Sequence, residues 1–94
     1  MSKNKIQLTP EINVDALLKK VAEIYSGISG TQVTTIDGVK IDFPENWVHL
    51  RKSNTEPIIR IYTEAESQDE ADKLALDMNG KIEEIMSGLK SGQN

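Results

Sequence analysis

Ninety-four residues with a formal net charge of −4 limit this chain to one small domain, and the acidity argues against nucleic acid or an anionic membrane as partner. It has no cysteine, which excludes disulfides and cysteine-ligated metals. It also has no apolar run of membrane-span length, and its N-terminus lacks the apolar core of a signal peptide. A composition 37% hydrophobic and 28% charged is that of a globular domain, for which a cytoplasmic setting is expected.

KIQL (5–8) reads as a short strand with Ile6 and Leu8 on one face. Thr9-Pro10 suits a helix start, with proline in the first turn, where its missing N–H costs nothing. Val14, Leu17, Leu18, Val21, Ile24, Tyr25 and Ile28 then recur at the three- and four-residue spacing of an amphipathic helix, which Gly27 or Gly30 would end. In TQVTTI-DG-VKIDF two β-rich runs flank Asp37-Gly38, the signature of a tight hairpin, and Pro44-Glu45-Asn46 turns the chain again.

WVHLR is a strand with Val48 and Leu50 on one face and Trp47, His49 and Arg51 on the other. After the SNTEP turn, IIRIYTEA puts Ile59 and Ile61 on one face and Ile58, Arg60 and Tyr62 on the other. Ser67-Gln68-Asp69-Glu70 is a capping box. The stripe Ala71, Leu74, Ala75, Met78, Ile82, Ile85, Met86 and Leu89 makes the second helix, and Gly80 interrupts it with no reason legible in the sequence. Residues 88–94 read as a flexible tail.

The order is therefore β-α-β-β-β-β-α, an α+β domain. Two amphipathic helices cover one face of an antiparallel sheet, the aliphatic one. Trp47, His49, Arg60 and Tyr62 remain on the open face beside Arg51. Such a surface suits contact with something, which keeps a second reading in play: a stand-alone module binding a protein or phosphorylated partner.

Charge is unevenly spread. Residues 64–77 hold six carboxylates against Lys73, whereas residues 51–60 hold Arg51, Lys52 and Arg60 against Glu56. Arg51, Ser53, Asn54 and Thr55 supply a guanidinium fork, two hydroxyls and an amide at one turn, donors suited to a phosphate. Consecutive backbone N–H groups in a tight turn add an anion nest. The competing reading is that Ser, Asn and Thr simply bond their own backbone to make the turn. His49, the single histidine, has no second histidine or cysteine for a metal, and the carboxylates of 64–77 lack calcium-loop spacing.

The stretch TIDGVKIDFPENWVHLRKSNTEPIIRIYTEA closely resembles the C-terminal domain of the α-D-phosphohexomutases, the group of phosphoglucomutase/phosphomannomutase and phosphoglucosamine mutase. The DG hairpin, the aromatic strand before the arginine, the R-x-S-N-T-E-P loop, the following arginine strand and the acidic helix match in order, and the likeness runs from Lys5 to about Ser87. The resemblance implies a TATA-box-binding-protein-like fold. It also implies that the loop holds the phosphate of a hexose phosphate while a phosphoserine in another domain exchanges the second phosphoryl group. By position, Arg51, Ser53, Asn54 and Thr55 would be the phosphate contacts, and Arg60 matches an arginine found in some branches. The family's phosphoserine and magnesium motifs do not occur in these residues. The expectation is one domain, 1–94, of a four-domain enzyme, inert alone, with no cofactor of its own and Mg2+ held elsewhere. Its expected partners are the hexose phosphate and the parent's other domains. The identity of the hexose stays open.

Overall fold

In the computed structural model residues 2–9, 12–53 and 55–90 are described. The elements are β1 (Ser2–Gln7), α1 (Val14–Ser26), β2 (Gln32–Thr34), β3 (Val39–Asp42), β4 (Trp47–Lys52), β5 (Ile58–Glu64) and α2 (Gln68–Lys90). The five strands form one sheet in the order β1-β5-β4-β3-β2, and every neighbouring pair is antiparallel. This is the expected α+β order, with the first strand closing the sheet beside the last.

The period-2 pattern decides which face the helices cover. Val39, Ile41, Val48, Leu50, Ile59 and Ile61 are buried in one cluster with Leu17 and Val21 of α1 and Met78 and Ile82 of α2. α1 lies against β2 and β3, and α2 against β1 and β5, so two helices tile one sheet face. Each fully buried aliphatic side chain contributes roughly 1.5–3 kcal/mol, an upper-bound figure. Thr63 is a polar residue fully buried in this core; its hydroxyl donates to the carbonyl of Ala71 at 2.7 Å and ties β5 to the start of α2.

Ile58, which strand alternation puts with Arg60 and Tyr62 on the open face, is buried. Three further local features differ from the expectation. First, α1 starts at Val14 and not at Thr9-Pro10. Asn13 is its N-cap, accepting the N–H of Ala16 at 3.0 Å, and Ile12 N–H donates back to Thr9 in a separate turn. Pro10 lies outside the described residues.

Second, Asp37-Gly38 does not form a two-residue turn: Thr34 pairs with Lys40, and 35–38 loop out before β3. A two-residue turn would pair Ile36 with Val39 and set Val33 on the open face. The observed register brings Val33 opposite Ile41 against the core and leaves Ile36 94% exposed. Third, Ile24 and Ile28 of the predicted apolar stripe are exposed: α1 ends at Ser26 with Gly27 as C-cap, so Ile28 falls outside the helix, and in its last turn Tyr25 faces the core while Ile24 does not.

Half of the capping box forms: Ser67 Oγ accepts the N–H of Glu70 at 3.1 Å, but the Glu70 carboxylate accepts the Ser67 hydroxyl at 3.3 Å in place of the backbone N–H the box would give it. α2 runs through Lys90, and residues 91–94 lie outside the described ones.

Candidate functional site

The turn between β4 and β5 sits at one end of the sheet and is anchored from two sides. Ser53 N–H donates to Ile58 O at 3.2 Å, which closes the hairpin. From β1, Leu8 N–H donates to Pro57 O at 2.7 Å, and the Gln7 side-chain amide reaches the same carbonyl at 3.3 Å. A proline carbonyl holding two donors stiffens the exit of the turn, since proline already fixes its own φ.

Inside the turn Ser53 is the organiser. Its Oγ accepts the N–H groups of Thr55 at 3.2 Å and Glu56 at 3.1 Å, and lies 3.3 Å from the Thr55 hydroxyl. The backbone-bonding reading of the serine is therefore realised, and these two N–H groups point at Ser53 instead of standing open as a nest. The Thr55 side chain is exposed, and in the Ser53–Thr55 hydroxyl pair either oxygen can be the donor. Asn54, the fourth expected contact, lies outside the described residues.

Each cation around the turn faces a carboxylate. Arg51 Nη2 lies 3.4 Å from Asp37 Oδ2, Lys52 Nζ 2.9 Å from Asp15 Oδ1, and Arg60 Nη2 3.8 Å from Glu56 Oε1. All six side chains are about half exposed or more, so each pair adds little to stability and gives way easily to another anion. Arg51 and Arg60 are directly opposed on β4 and β5. Arg51, Ser53 and Thr55 are thus gathered at the turn, and Arg60 lies beside them.

A cleft of about 480 Å³ opens next to the turn on the α1 side, between Asp15, Leu18 and Lys19 of α1, the Thr35–Gly38 loop and Arg51 and Lys52. Ser53 and Thr55 do not line it. Nothing in the sequence pointed to Asp15 or Asp37 as neighbours of the basic turn, because the contacts join residues 37 and 14 positions apart.

The remaining candidates have structural partners. His49 Nε2 is 2.6 Å from the carbonyl oxygen of Asp37; a carbonyl only accepts, so the ring nitrogen carries the proton and ties β4 to the 35–38 loop. Trp47 is half-buried, with Lys40 Nζ 5.0 Å from its ring centroid. Among the described residues no group of three or more His, Cys, Asp or Glu side chains is placed to hold a metal ion, and no helix is long and apolar enough to cross a membrane.

A helix-backed antiparallel sheet with a cationic, hydroxyl-bearing turn at one end defines a small α+β domain of recognisable kind. The chain belongs to the family described as phosphoglucomutase/phosphomannomutase, C-terminal domain, which matches residues 5–81. It is 42% identical over 81 residues to a phosphoglucosamine/phosphogalactosamine mutase of Sulfurisphaera tokodaii, covering 86% of this chain and 18% of that protein. It is 48% identical over 56 residues to a phosphoglucomutase/phosphomannomutase of Thermococcus kodakarensis, 60% of this chain and 12% of that protein. A phosphomannomutase/phosphoglucomutase of Pseudomonas aeruginosa matches at 28% over 87 residues, 86% of this chain and 19% of that protein. The chain thus spans less than a fifth of the length of these relatives.

Proposed function

We propose that this domain binds the non-reacting phosphate of a hexose phosphate for a phosphohexomutase, and that it is inactive alone. Arg51, Ser53, Asn54 and Thr55 are the contacts, with Arg60 adjacent. The observation that carries the proposal is the β4–β5 turn: Ser53 knits its backbone while Arg51 and the hydroxyls of Ser53 and Thr55 remain at its surface.

In operation the phosphate takes the place that Asp37 holds beside Arg51, forming paired charge-assisted bonds to the guanidinium. Two or three such bonds, at about 1.5–3 kcal/mol each, work against at least roughly 4 kcal/mol of association cost. The remainder corresponds to about millimolar binding or weaker. A site of that strength serves as one wall of a larger cleft, in which binding at the far phosphate orients the sugar for chemistry elsewhere. In this reading the catalytic phosphoserine and Mg2+ belong to other domains of the parent enzyme. The relatives carry both hexosamine and hexose names, so the proposed ligand class is hexose phosphate.

The reading is tested by 31P NMR of glucose 1-phosphate with the purified chain added. Concentration-dependent broadening, reversed by inorganic phosphate and unaccompanied by turnover, is the expected result. Conversion of the sugar phosphate by the pure chain would overturn the assignment of the chemistry to other domains.

A further inference from the structure

Two dipeptides in this chain place a glycine directly after an Asx residue, Asp37-Gly38 and Asn79-Gly80. The glycine nitrogen of such a pair has no Cβ beside it to hinder its attack on the preceding side-chain carbonyl carbon. In the bare sequence Asn79-Gly80 is the more reactive of the two, since a side-chain amide accepts this attack more readily than a carboxylate. The fold works against that order. Asn79 and Gly80 lie within α2, where each N–H is committed to the carbonyl four residues back, and Oδ1 of Asn79 is buried. Asp37 and Gly38 lie in the 35–38 loop. Among the described residues no backbone hydrogen bond joins one residue of that loop to another, and the Asp37 side chain is 68% exposed.

Two contacts hold Asp37, one at each of its carbonyl carbons. The main-chain carbonyl oxygen lies 2.6 Å from Nε2 of His49, and the carboxylate lies 3.4 Å from the guanidinium of Arg51. Attack of the Gly38 nitrogen on Cγ of the protonated side chain forms a C–N bond; a Cγ–O bond breaks and water leaves. Water then adds to the cyclic imide at the former main-chain carbonyl carbon, breaks its bond to the Gly38 nitrogen and leaves it as a carboxylate. The backbone now runs through Cγ and is one methylene longer. No atom is gained or lost, and the net charge stays at −4. The position of the charge changes. The carbon facing Arg51 becomes a neutral amide, and the carbon facing His49 becomes the carboxylate. The longer loop has room outward, where Ile36 is 94% exposed, but none inward, where Gly38 backs onto the carbonyl of Leu50.

We infer that Asp37-Gly38 is a site of spontaneous isoaspartate formation, and that the rearrangement moves the negative charge from Arg51 to His49 and unmasks the guanidinium. The site and the charge transfer stand without the phosphate reading; only their consequence for ligand binding rests on it.

The test is ageing of the folded chain, and of the chain unfolded in urea, in neutral H2 18O, followed by tryptic digestion. Each passage through the imide takes up one oxygen from solvent. The tryptic peptide 21–40 carries Asp37 as its single Asp or Asn, and peptide 74–81 carries Asn79. Folding should slow label uptake at Asn79 at least about tenfold more than at Asp37, because a helix interior opens more rarely than a loop. The 15N-labelled converted chain should show moved Arg51 Nε–H and His49 ring signals. It should also bind inorganic phosphate about twofold or more tightly than the fresh chain, since the competing charge has left Arg51. Asp37→Glu keeps a carboxylate but closes the larger imide far less readily, so the aged variant should show none of these changes. The inference is overturned if folding protects Asp37 as strongly as Asn79, if the Arg51 and His49 signals are the same in the converted chain, or if that chain binds phosphate more weakly. Should neither form bind phosphate, the phosphate reading fails, and the label and the two side-chain signals still decide the inference.

Discussion

The carboxylate of Asp37 lies 3.4 Å from the guanidinium of Arg51, and both side chains are at least half exposed. The pair joins the loop before β3 to the end of β4 and sets an anion where the proposed ligand phosphate would go. An exposed pair of this kind is worth at most about 1 kcal/mol to the fold. Asp37→Asn should therefore leave Tm nearly unchanged. It should strengthen phosphate binding about threefold or more in low salt, by removing a competing charge. Weaker phosphate binding in this variant would instead mean that Asp37 holds Arg51 in its working geometry.

Gly38 is needed for its backbone. It has φ +71, and a Cβ there would collide with the backbone carbonyl of Leu50. Gly38→Ala must shift the 35–38 loop off β4. It should cost about 2–3 kcal/mol in chemical denaturation, beyond the roughly 1 kcal/mol of left-handed strain alone. Unchanged stability would mean that the loop moves freely and does not place Asp37.

Gly80 is the opposite case. It lies within α2, it is exposed, and a Cβ there meets nothing within 4 Å. Gly80→Ala should stabilise the domain by about 0.5–1 kcal/mol, by helix propensity and a less flexible unfolded chain. Destabilisation would show that this helix surface needs its small residue.

Tyr25 packs edge-on against Phe43, with ring centroids 5.9 Å apart and planes at 77°. Burial, and secondly the Asp77 carboxylate, push its phenol above the usual 10.0. The folded state then keeps its proton longer than the unfolded one. Its contribution is fully present below the unfolded pKa and is lost as pH rises through the folded pKa. Denaturation followed from pH 9 upward should show stability falling beyond pH 10, with a shallower fall in Tyr25→Phe; identical profiles would contradict the assignment.

The order of elements and most of the core were legible because alternation in the strands and the three- and four-residue spacing in the helices each report one buried face. What escaped reading was set by tertiary register. The choice between Ile36 and Val33 for the core depends on a one-residue slip that Asp37-Gly38 alone does not decide. The start of α1 depended on Asn13 outcompeting an equally plausible Thr9-Pro10. At the turn, the R-x-S-N-T-E-P pattern located the polar residues, and only the folded chain revealed that Ser53 bonds Thr55 and Glu56 and that Asp15 and Asp37 face the cations. The opposition of Arg51 and Arg60 was illegible for the same reason, since the two become neighbours only through strand pairing.

The most direct test of the phosphate clamp is an amide NMR titration of the labelled chain with glucose 1-phosphate, with Arg51→Ala as control. Saturable shifts centred on residues 51–55, with an apparent Kd of about millimolar or weaker and lost in the control, are the predicted result. Shifts that persist without Arg51, or none at residues 51–55 at tens of millimolar ligand, would contradict it and leave the turn as a structural element closed by Ser53.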